Sequence, residues 1–317
     1  MYGNPRLARL APLVMLIVLG FVLPHFVPQY FLYIGNYLMT FAVLAIGLDL
    51  LLGWSGQFAF AHIAFYGVGA YSTVVLQTRF GLPFFAAMPL AALLAGLLGL
   101  LIAFPAARLR AVYLALATFA FAEGIQWVFN SWDSVTGGAD GMRIQGPKLF
   151  GYAMGTDPTA FPFMAVVLAL VIAATMYLTT SKLGRALCAI RDSEHAAAAS
   201  GIDVRATKII VFSLSACYAG VAGGMLTTYQ SFMNPETFGF AQIVLVFTMI
   251  VVGGLGTLPG ALIGAVLLGL LPEIMRTTMS SMLVWQELVY GVIIILAMMY
   301  MPRGIWGTFV ARGAPRK

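Results

Sequence analysis

Residues 88–104, MPLAALLAGLLGLLIAF, form an unbroken apolar stretch close to the length that a helix needs to cross a bilayer. Similar stretches follow at residues 161–178, FPFMAVVLALVIAATMYL, and at residues 288–301, LVYGVIIILAMMYM. A transmembrane β-barrel would instead show strands of about ten residues that alternate between apolar and polar positions. Because hydrocarbon offers no water to backbone groups, such a chain spans the membrane as helices. The sequence therefore predicts an all-α polytopic membrane protein.

The composition agrees with this fold class. Of the 317 residues, 61% are hydrophobic and 9% are charged, against roughly 25% charged in an average soluble domain. We predict one transmembrane domain over residues 1–317 with about ten spans, and eight spans plus re-entrant segments remain open as an alternative. The predicted spans are residues 10–27, 31–52, 60–78, 84–104, 111–130, 161–180, 207–229, 241–257, 259–275 and 284–301.

Basic residues predict the orientation of these spans. With both termini in the cytoplasm, 13 of the 17 Lys and Arg residues lie in the cytoplasmic segments. Short loops that carry Lys and Arg stay on the cytoplasmic side, so the bias favours an N-in, C-in topology with an even number of spans. The two cysteines indicate neither a disulfide framework nor a metal site.

Two glycine-rich stretches, residues 53–61 and 253–264, interrupt the hydrophobic pattern. Non-helical backbone at membrane depth is tolerated where it lines a cavity or is buried in protein, and paired interruptions point to a transport path. Closely spaced glycines also let helices pack at short range. Pathway and packing are compatible, and the residues alone leave both open.

Two longer loops connect the predicted spans. The outer loop, residues 131–160, is rich in Gly, Asp and Pro, so we expect tight turns and only short structure there. The inner loop, residues 181–208, shows helical spacing, and Asp192 is placed to cap a second short helix. Glu194 suits the first turn of that helix, Gly201 its end, and Asp203 the cap of the next span. A plain solvated connector is the alternative.

Ionisable side chains inside spans are costly and usually face a cavity or a partner. Asp49 lies near the inner end of its predicted span, and Glu273 and Glu287 lie near outer ends, where we expect water to reach them. Glu123 is then the deepest carboxylate, suited to a substrate ammonium, a proton or a structural partner. A Ser55–His62 hydrolase would need both side chains within hydrogen-bond reach.

Five stretches together resemble the LivM-type permeases of branched-chain amino acid ABC importers, in order from about Leu44 to Glu273. Ala61 and Ala261 depart from the usual pattern by small-residue exchanges. The stretches are LDLLLGWSGQFAFAHIAFYGVGAY (48–71), WDSVTGGADGM (132–142), SKLGRALCAIRDSEHAAAASGIDVRATK (181–208), SFMNPETFGF (231–240) and IVVGGLGTLPGALIGAVLLGLLPE (250–273).

This resemblance implies a subunit of a heteromeric importer in the bacterial inner membrane, with no nucleic-acid partner. Its partners would be a homologous LivH-type permease, two cytoplasmic ABC ATPases and a periplasmic solute-binding protein. ATP and Mg²⁺ would bind in the ATPases, because this chain lacks the phosphate-binding G-x-x-x-x-G-K-[ST] motif. The solute would be a branched-chain amino acid or a related amino acid, urea or amide.

The resemblance also implies three groups of site residues. Residues 181–208 would couple the permease to the ATPases through Gly184, Arg185, Arg191, Asp192, Glu194, Ala197 and Gly201. The outer loop would dock the binding protein through Thr136, Gly137, Gly138, Asp140 and Gly141. Candidates for the translocation path are Gln57, His62, Tyr66, Glu123, Gly253 and Gly254. The alternatives are a proton-coupled secondary transporter that uses Glu123, the intramembrane hydrolase, and a purely structural membrane subunit.

Overall fold

The computed structural model describes residues 5–109, 111–144, 148–149, 152–153, 157–278, 285–301 and 303–313. Fourteen α-helices lie within these residues, with four two-residue strands. The helices are α1 (Pro5–Val22), α2 (Gln29–Asp49), α3 (His62–Thr78), α4 (Phe84–Ala106), α5 (Ala111–Ser131), α6 (Asp133–Thr136), α7 (Asp157–Thr180), α8 (Lys182–Asp192), α9 (Glu194–Ala199), α10 (Val204–Tyr229), α11 (Phe240–Gly253), α12 (Leu258–Thr278), α13 (Gln286–Tyr300) and α14 (Gly304–Gly313).

Each predicted span overlaps a helix, although residues 26–27, 60–61 and 254–257 are not helical and residue 284 lies outside the described residues. Seven helical segments are long and apolar enough to cross a membrane: α2 with the π-helical turn after it, α4, α5, α7, α10, α12, and residues 288–309. The other three predicted spans fall on α1, on the 17-residue α3 and on the 14-residue α11. The all-α polytopic class is confirmed, whereas the count of ten stays a prediction.

Helices α2 and α10 lie at the centre of the bundle. In the most apolar window of α2, 78% of the residues are buried, against 17% in α5. Helix α10 packs most extensively against α4 and α3. Small residues bring these three helices together, since the Cβ position of Gly69 on α3 falls on the backbone of Gly220 on α10. This close approach is the packing that glycines permit between membrane helices.

The outside of the bundle is apolar. Helices α4 and α13 expose large side chains along much of their length, including Leu93, Leu97, Leu101, Ile295 and Met299. In water such a continuous apolar surface would mark an interaction site. In this chain it provides the surface that a bilayer requires, which is consistent with a multi-pass membrane protein.

The two long loops lie at opposite ends of α7, which has 24 residues and therefore spans about 36 Å. In the described part of the outer loop, α6 is followed by a 3₁₀ turn (Gly138–Asp140) and by β1 (Met142–Arg143), β2 (Lys148–Leu149) and β3 (Tyr152–Ala153). Strand β1 pairs antiparallel with β4 (Phe232–Met233), and β2 pairs with β3. The expected short structure is confirmed, although residues 145–147, 150–151 and 154–156 lie outside the described residues.

The interface of α3 with α10 gives a test of the packing. A Cβ on Gly223 of α10 would meet the Tyr66 carbonyl oxygen and lie 2.5 Å from the Ala70 backbone nitrogen. We expect Gly223→Val to destabilise the protein by about 1–3 kcal/mol, because backbone atoms cannot yield as a flexible side chain does. Thermal unfolding in detergent, followed by circular dichroism, measures the loss.

The matched control is Gly124→Val on α5, where an added Cβ has nothing within 4 Å. Its unfolding temperature should stay near that of the parent protein. Equal unfolding temperatures for the two valine variants would contradict the close packing of α3 against α10.

Candidate functional site

Residues 181–208 form two short capped helices and the start of α10. The Ser181 hydroxyl accepts the Leu183 N–H at 3.1 Å, and the Asp203 carboxylate accepts the Ala206 N–H at 2.9 Å, which confirms the predicted cap of α10. The cap of α9 was predicted at Asp192 and lies instead at Ser193, whose hydroxyl accepts the Ala196 N–H. Ser193 has the extended backbone that an N-cap needs, whereas Asp192 is still the last helical residue of α8.

Helix α9 has one inward and one outward face. Ala197 is buried, and Glu194 in the first turn accepts a hydrogen bond from the Lys208 ammonium of α10 at 2.6 Å. The side chains of Ala196, Ala198 and Ala199 are exposed and point away from the bundle. Gly201 follows the helix in the left-handed conformation, at φ 82°. The segment therefore presents a small, smooth surface on a rigid base.

The start of α8 is held against the end of α7. A Cβ on Gly184 would collide with the Thr179 carbonyl group, so only glycine permits this tight turn. The Arg185 side chain is exposed, and its guanidinium lies 3.4 Å from the Thr180 carbonyl oxygen. These contacts fix the direction in which α8 leaves the bundle.

The two glycine-rich interruptions meet at this same end of the protein. After α2 the chain continues as a π-helical turn (Leu50–Trp54), and residues 55–61 are not helical. Residues 254–257 form the second break, between α11 and α12. The Gly256 N–H of that break donates to the Asp49 carboxylate at 2.7 Å. The Arg191 guanidinium of α8 donates to the Gly53 carbonyl at 2.8 Å. Both predicted breaks are therefore bonded into one cluster with α8.

Asp49 does not have the water access that its position in the sequence suggested. Its residue surface is 2% exposed. A carboxylate in such a place is stable only with strong hydrogen-bond donors, and the Gly256 N–H supplies one. Glu273 is partly buried and accepts a hydrogen bond from the Tyr30 hydroxyl at 2.6 Å, while the Glu287 side chain lies outside the described residues.

His62, Ser55 and Gln57 are buried and hydrogen-bonded. The His62 Nε2–H donates to the Leu44 carbonyl at 3.0 Å, so its Nδ1 accepts the Ser215 hydroxyl at 3.0 Å. The Ser55 hydroxyl donates to the Leu51 carbonyl at 2.6 Å. Because both ring nitrogens of His62 are occupied elsewhere, Ser55 has no base, and the hydrolase interpretation is wrong.

Three further path candidates, Tyr66, Gly253 and Gly254, are closely packed. Tyr66 is 1% exposed, and its ring lies edge-on to Phe238 at 5.2 Å between centroids. A Cβ on Gly253 would collide with the Gly260 carbonyl oxygen, and Gly254, at φ 128°, packs against the start of α14. The glycines here serve close packing in this conformation.

Gln57 joins the first break to α10. Its side-chain amide donates to the Ser55 hydroxyl at 3.0 Å and lies 3.4 Å from the Lys208 carbonyl oxygen. Because Lys208 also holds Glu194, the first break is linked to α9 through α10.

Glu123 lies near the middle of α5 and is exposed in this chain. With Gln126, Phe60, Phe119 and Phe240 it borders a cleft of about 10 Å³, which holds no more than about one water molecule. A carboxylate at mid-span is too costly to leave facing lipid, so we expect this side of α5 to face a polar path or another protein.

The predicted docking residues shape the outer loop. The Thr136 hydroxyl is buried and donates to the Phe129 carbonyl at 2.7 Å. Gly137, Gly138 and Gly141 all have positive φ angles, and Gly138 is buried. Asp140 is exposed and is the member of this group whose side chain can reach a partner.

Comparison with known proteins decides the family. A family model described as the permease component of the branched-chain amino acid transport system matches residues 30–298. The chain belongs to this permease family. The match confirms the LivM-type resemblance, and a permease component is a transport subunit, not an enzyme. The proton-coupled alternative is disfavoured by the same finding.

Several curated permeases are similar over most of their length. LivM of the high-affinity branched-chain amino acid transport system of Escherichia coli K12 is 31% identical over 317 residues, 92% of this chain and 74% of that protein. LivH of the same organism is 27% identical over 288 residues, 84% of this chain and 91% of that protein. The ribose import permease RbsC of that organism is 29% identical over 268 residues, covering 82% and 79%. No solved structure shows significant similarity to the chain.

Sequence reasoning about this permease missed the cluster at its two breaks. The pairing of Asp49 with Gly256 joins residues 207 positions apart, and that of Arg191 with Gly53 joins residues 138 apart. The sequence did contain a signal for this cluster. Asp49 and the two glycine-rich breaks all lie at span ends that were predicted on the same side of the membrane. Side-chain direction around the π-helical turn decided the contacts.

Crowding at the second break can be tested with alanine. A Cβ on Gly256 would lie 2.7 Å from the Arg191 Nη1 and 2.8 Å from the Gly53 carbonyl oxygen. Gly81→Ala is the control, because Gly81 also has a positive φ, 65° against 72°, but has nothing within 4 Å. We expect Gly256→Ala to lose about 1–3 kcal/mol more stability than Gly81→Ala, measured by thermal unfolding. An equal loss of stability in both alanine variants would show that strain at the positive φ angle, and not crowding, limits substitution at Gly256.

Proposed function

We propose that this chain is one of two membrane-spanning permeases of an ATP-driven importer in the bacterial inner membrane. Its solute is a branched-chain amino acid or a related small polar solute, taken up into the cytoplasm. About ten spans cross the membrane with both termini in the cytoplasm. The homologous LivH-type permease, two cytoplasmic ABC ATPases and a periplasmic solute-binding protein complete the assembly, and ATP with Mg²⁺ binds in the ATPases.

The geometry of α8 and α9 supports this proposal most directly. The pair is capped at both N-termini, bonded to the bundle through Glu194 and Lys208, and exposes alanines on its outer side. A flexible connector would need none of these contacts. A rigid projection with small side chains fits a groove of a partner protein, and displacement of such an element by a partner is a common way to switch a protein between states.

The transport path runs along the exposed side of α5 in this proposal. Glu123 and Gln126 give that side its polarity, and the phenylalanines of the cleft suit the aliphatic part of a solute. The second permease would face this surface and complete the path. The cleft is closed in this conformation, so passage requires α5 and the first break to move apart.

The identity of the solute depends on the binding protein. The similar permeases carry names that refer to branched-chain amino acids and to ribose, two solutes of very different chemistry. Permeases of shared architecture thus carry names that refer to very different solutes. This agrees with a solute specificity that is set by the binding protein before the solute reaches the membrane. The exposed Asp140 side of the outer loop is where that loaded protein would dock.

Partner binding through α9 can be tested by co-purification. Ala198→Trp places a bulky ring on the exposed face of α9, and we expect it to remove the ATPase subunits from the tagged permease. The control is Ala86→Trp, which alters an exposed alanine in the first turn of α4, at the opposite end of the bundle. ATPases should remain bound to the control, and their retention by both variants would exclude α9 as the contact.

The energy source separates the importer from the proton-coupled alternative. In proteoliposomes that hold the whole assembly, uptake of leucine should require ATP on the ATPase side and continue when a protonophore removes the proton gradient. Glu123→Gln keeps the size of the side chain and removes its charge. Uptake by the parent assembly that stops when the protonophore is added would favour the secondary transporter. A Glu123→Gln variant whose uptake no longer depends on the proton gradient would favour it as well.

A further inference from the structure

Four residues from three separate parts of the chain meet at one point, which we term the junction: Asp49, Gly53, Arg191 and Gly256. Asp49 and Gly53 lie one turn apart where α2 widens into its π-helical turn. Arg191 belongs to α8 and Gly256 to the α11–α12 break. The junction therefore connects the segment that contacts the ATPases with both interruptions of the membrane helices.

The first connection at the junction is the bond from the Gly256 N–H to the Asp49 carboxylate, at 2.7 Å. When ionised, this carboxylate makes the bond shorter and stronger than a neutral amide would. Gly256 has φ 72°, a conformation that glycine adopts without strain. The α11–α12 break is thereby held to α2.

The second connection is the bond from the Arg191 guanidinium to the Gly53 carbonyl, at 2.8 Å. The same guanidinium also attracts the Asp49 carboxylate electrostatically. Cβ atoms fit at neither glycine, because the backbones of Gly53 and Gly256 are in contact. Arg191 thus reaches both breaks from the end of α8.

Two pockets border the junction at the α11–α12 break. One of about 520 Å³ is lined by Trp54 and Trp306, one of about 500 Å³ is lined by Phe58 and Met301, and Thr257 lines both. Both pockets open to the surface of the chain, and Gly256 itself lines the first. The junction is therefore well bonded and borders open space at the α11–α12 break.

We propose that Asp49 and Arg191 are positioning residues that make α8, the end of α2 and the α11–α12 break move as one unit when the ATPases displace α8 and α9. This inference rests on the proposed function. It assigns the transmission of movement to two side chains, whereas the exposed alanines of α9 supply the contact with the ATPases. Loss of either side chain should leave ATP hydrolysis intact and uncouple it from transport.

The test compares uptake per ATP in proteoliposomes that contain the complete assembly. Arg191→Gln removes the charge and shortens the reach to Gly53, and Arg79→Gln makes the same exchange at an exposed position between α3 and α4. We expect Arg191→Gln to assemble, to hydrolyse ATP within about twofold of the parent, and to lose about tenfold in uptake per ATP, the equivalent of one charged hydrogen bond. Arg79→Gln should match the parent.

Two further variants keep the test decisive. Arg191→Lys keeps the charge and should restore part of the uptake per ATP, which a loss of folding would not explain. Asp49→Asn keeps an acceptor for Gly256 and loses its charge, so we expect a decrease of about threefold. If the Arg191→Gln assembly does not form, the uptake per ATP of Asp49→Asn is the deciding measurement.

Parental uptake per ATP in Arg191→Gln or, where that variant does not assemble, in Asp49→Asn would overturn the proposal. A decrease in assembled complex that leaves uptake per ATP unchanged would also overturn it, since the residues would then be merely structural. Failure of the parent assembly to show ATP-dependent uptake is a different result, because it would refute the proposed importer function itself.

Discussion

Backbone groups released from helices must find partners inside the protein, and this constraint governs the structure at its two breaks. In hydrocarbon an unpaired N–H or C=O costs several kcal/mol. Three such groups are satisfied by side chains from distant segments: the Gly256 N–H by Asp49, the Gly53 carbonyl by Arg191, and the Phe60 N–H by Thr118. Each break is thus stabilised by a contact that also ties it to another helix.

This arrangement explains why Asp49, Gln57, Arg191 and Lys208 meet at the end that holds α8 and α9. A bundle of uninterrupted helices would satisfy its own backbone and would need no such residues. The breaks create the need, and the side chains that meet it come from the elements next to the proposed ATPase contact. The side chains that satisfy the interrupted backbone therefore also connect it to the elements that the ATPases would displace.

The sequence predicted those parts of the structure that depend on local pattern. Apolar stretches located the ten long helices of the bundle but not α14, and glycine spacing located both breaks. The capped pair of helices at residues 181–208 was also expected, although the cap fell on Ser193 and not on Asp192, a difference of one residue that depends on backbone conformation. Water was expected to reach Asp49, whereas Asp49 is buried. The mid-span position of Glu123 did not reveal that its side chain is exposed in this chain. Which side of a helix is covered depends on its neighbours, and no local pattern contains that information.

Close packing within two groups of helices decides where movement can occur. Helices α3, α4 and α10 meet through glycines and alanines whose backbones are in contact, so a relative shift of even a small amount would cause collisions. Helices α11 and α12 pack on each other as closely, because a Cβ on Gly264 would collide with the Met249 carbonyl oxygen. In the proposed mechanism, a displacement that begins at α8 therefore moves α11 and α12 as a pair, and the rigid group of α3, α4 and α10 serves as the base against which they move. Glu123 lies beside α11 through its cleft with Phe240, so a shift of α11 would open that cleft first.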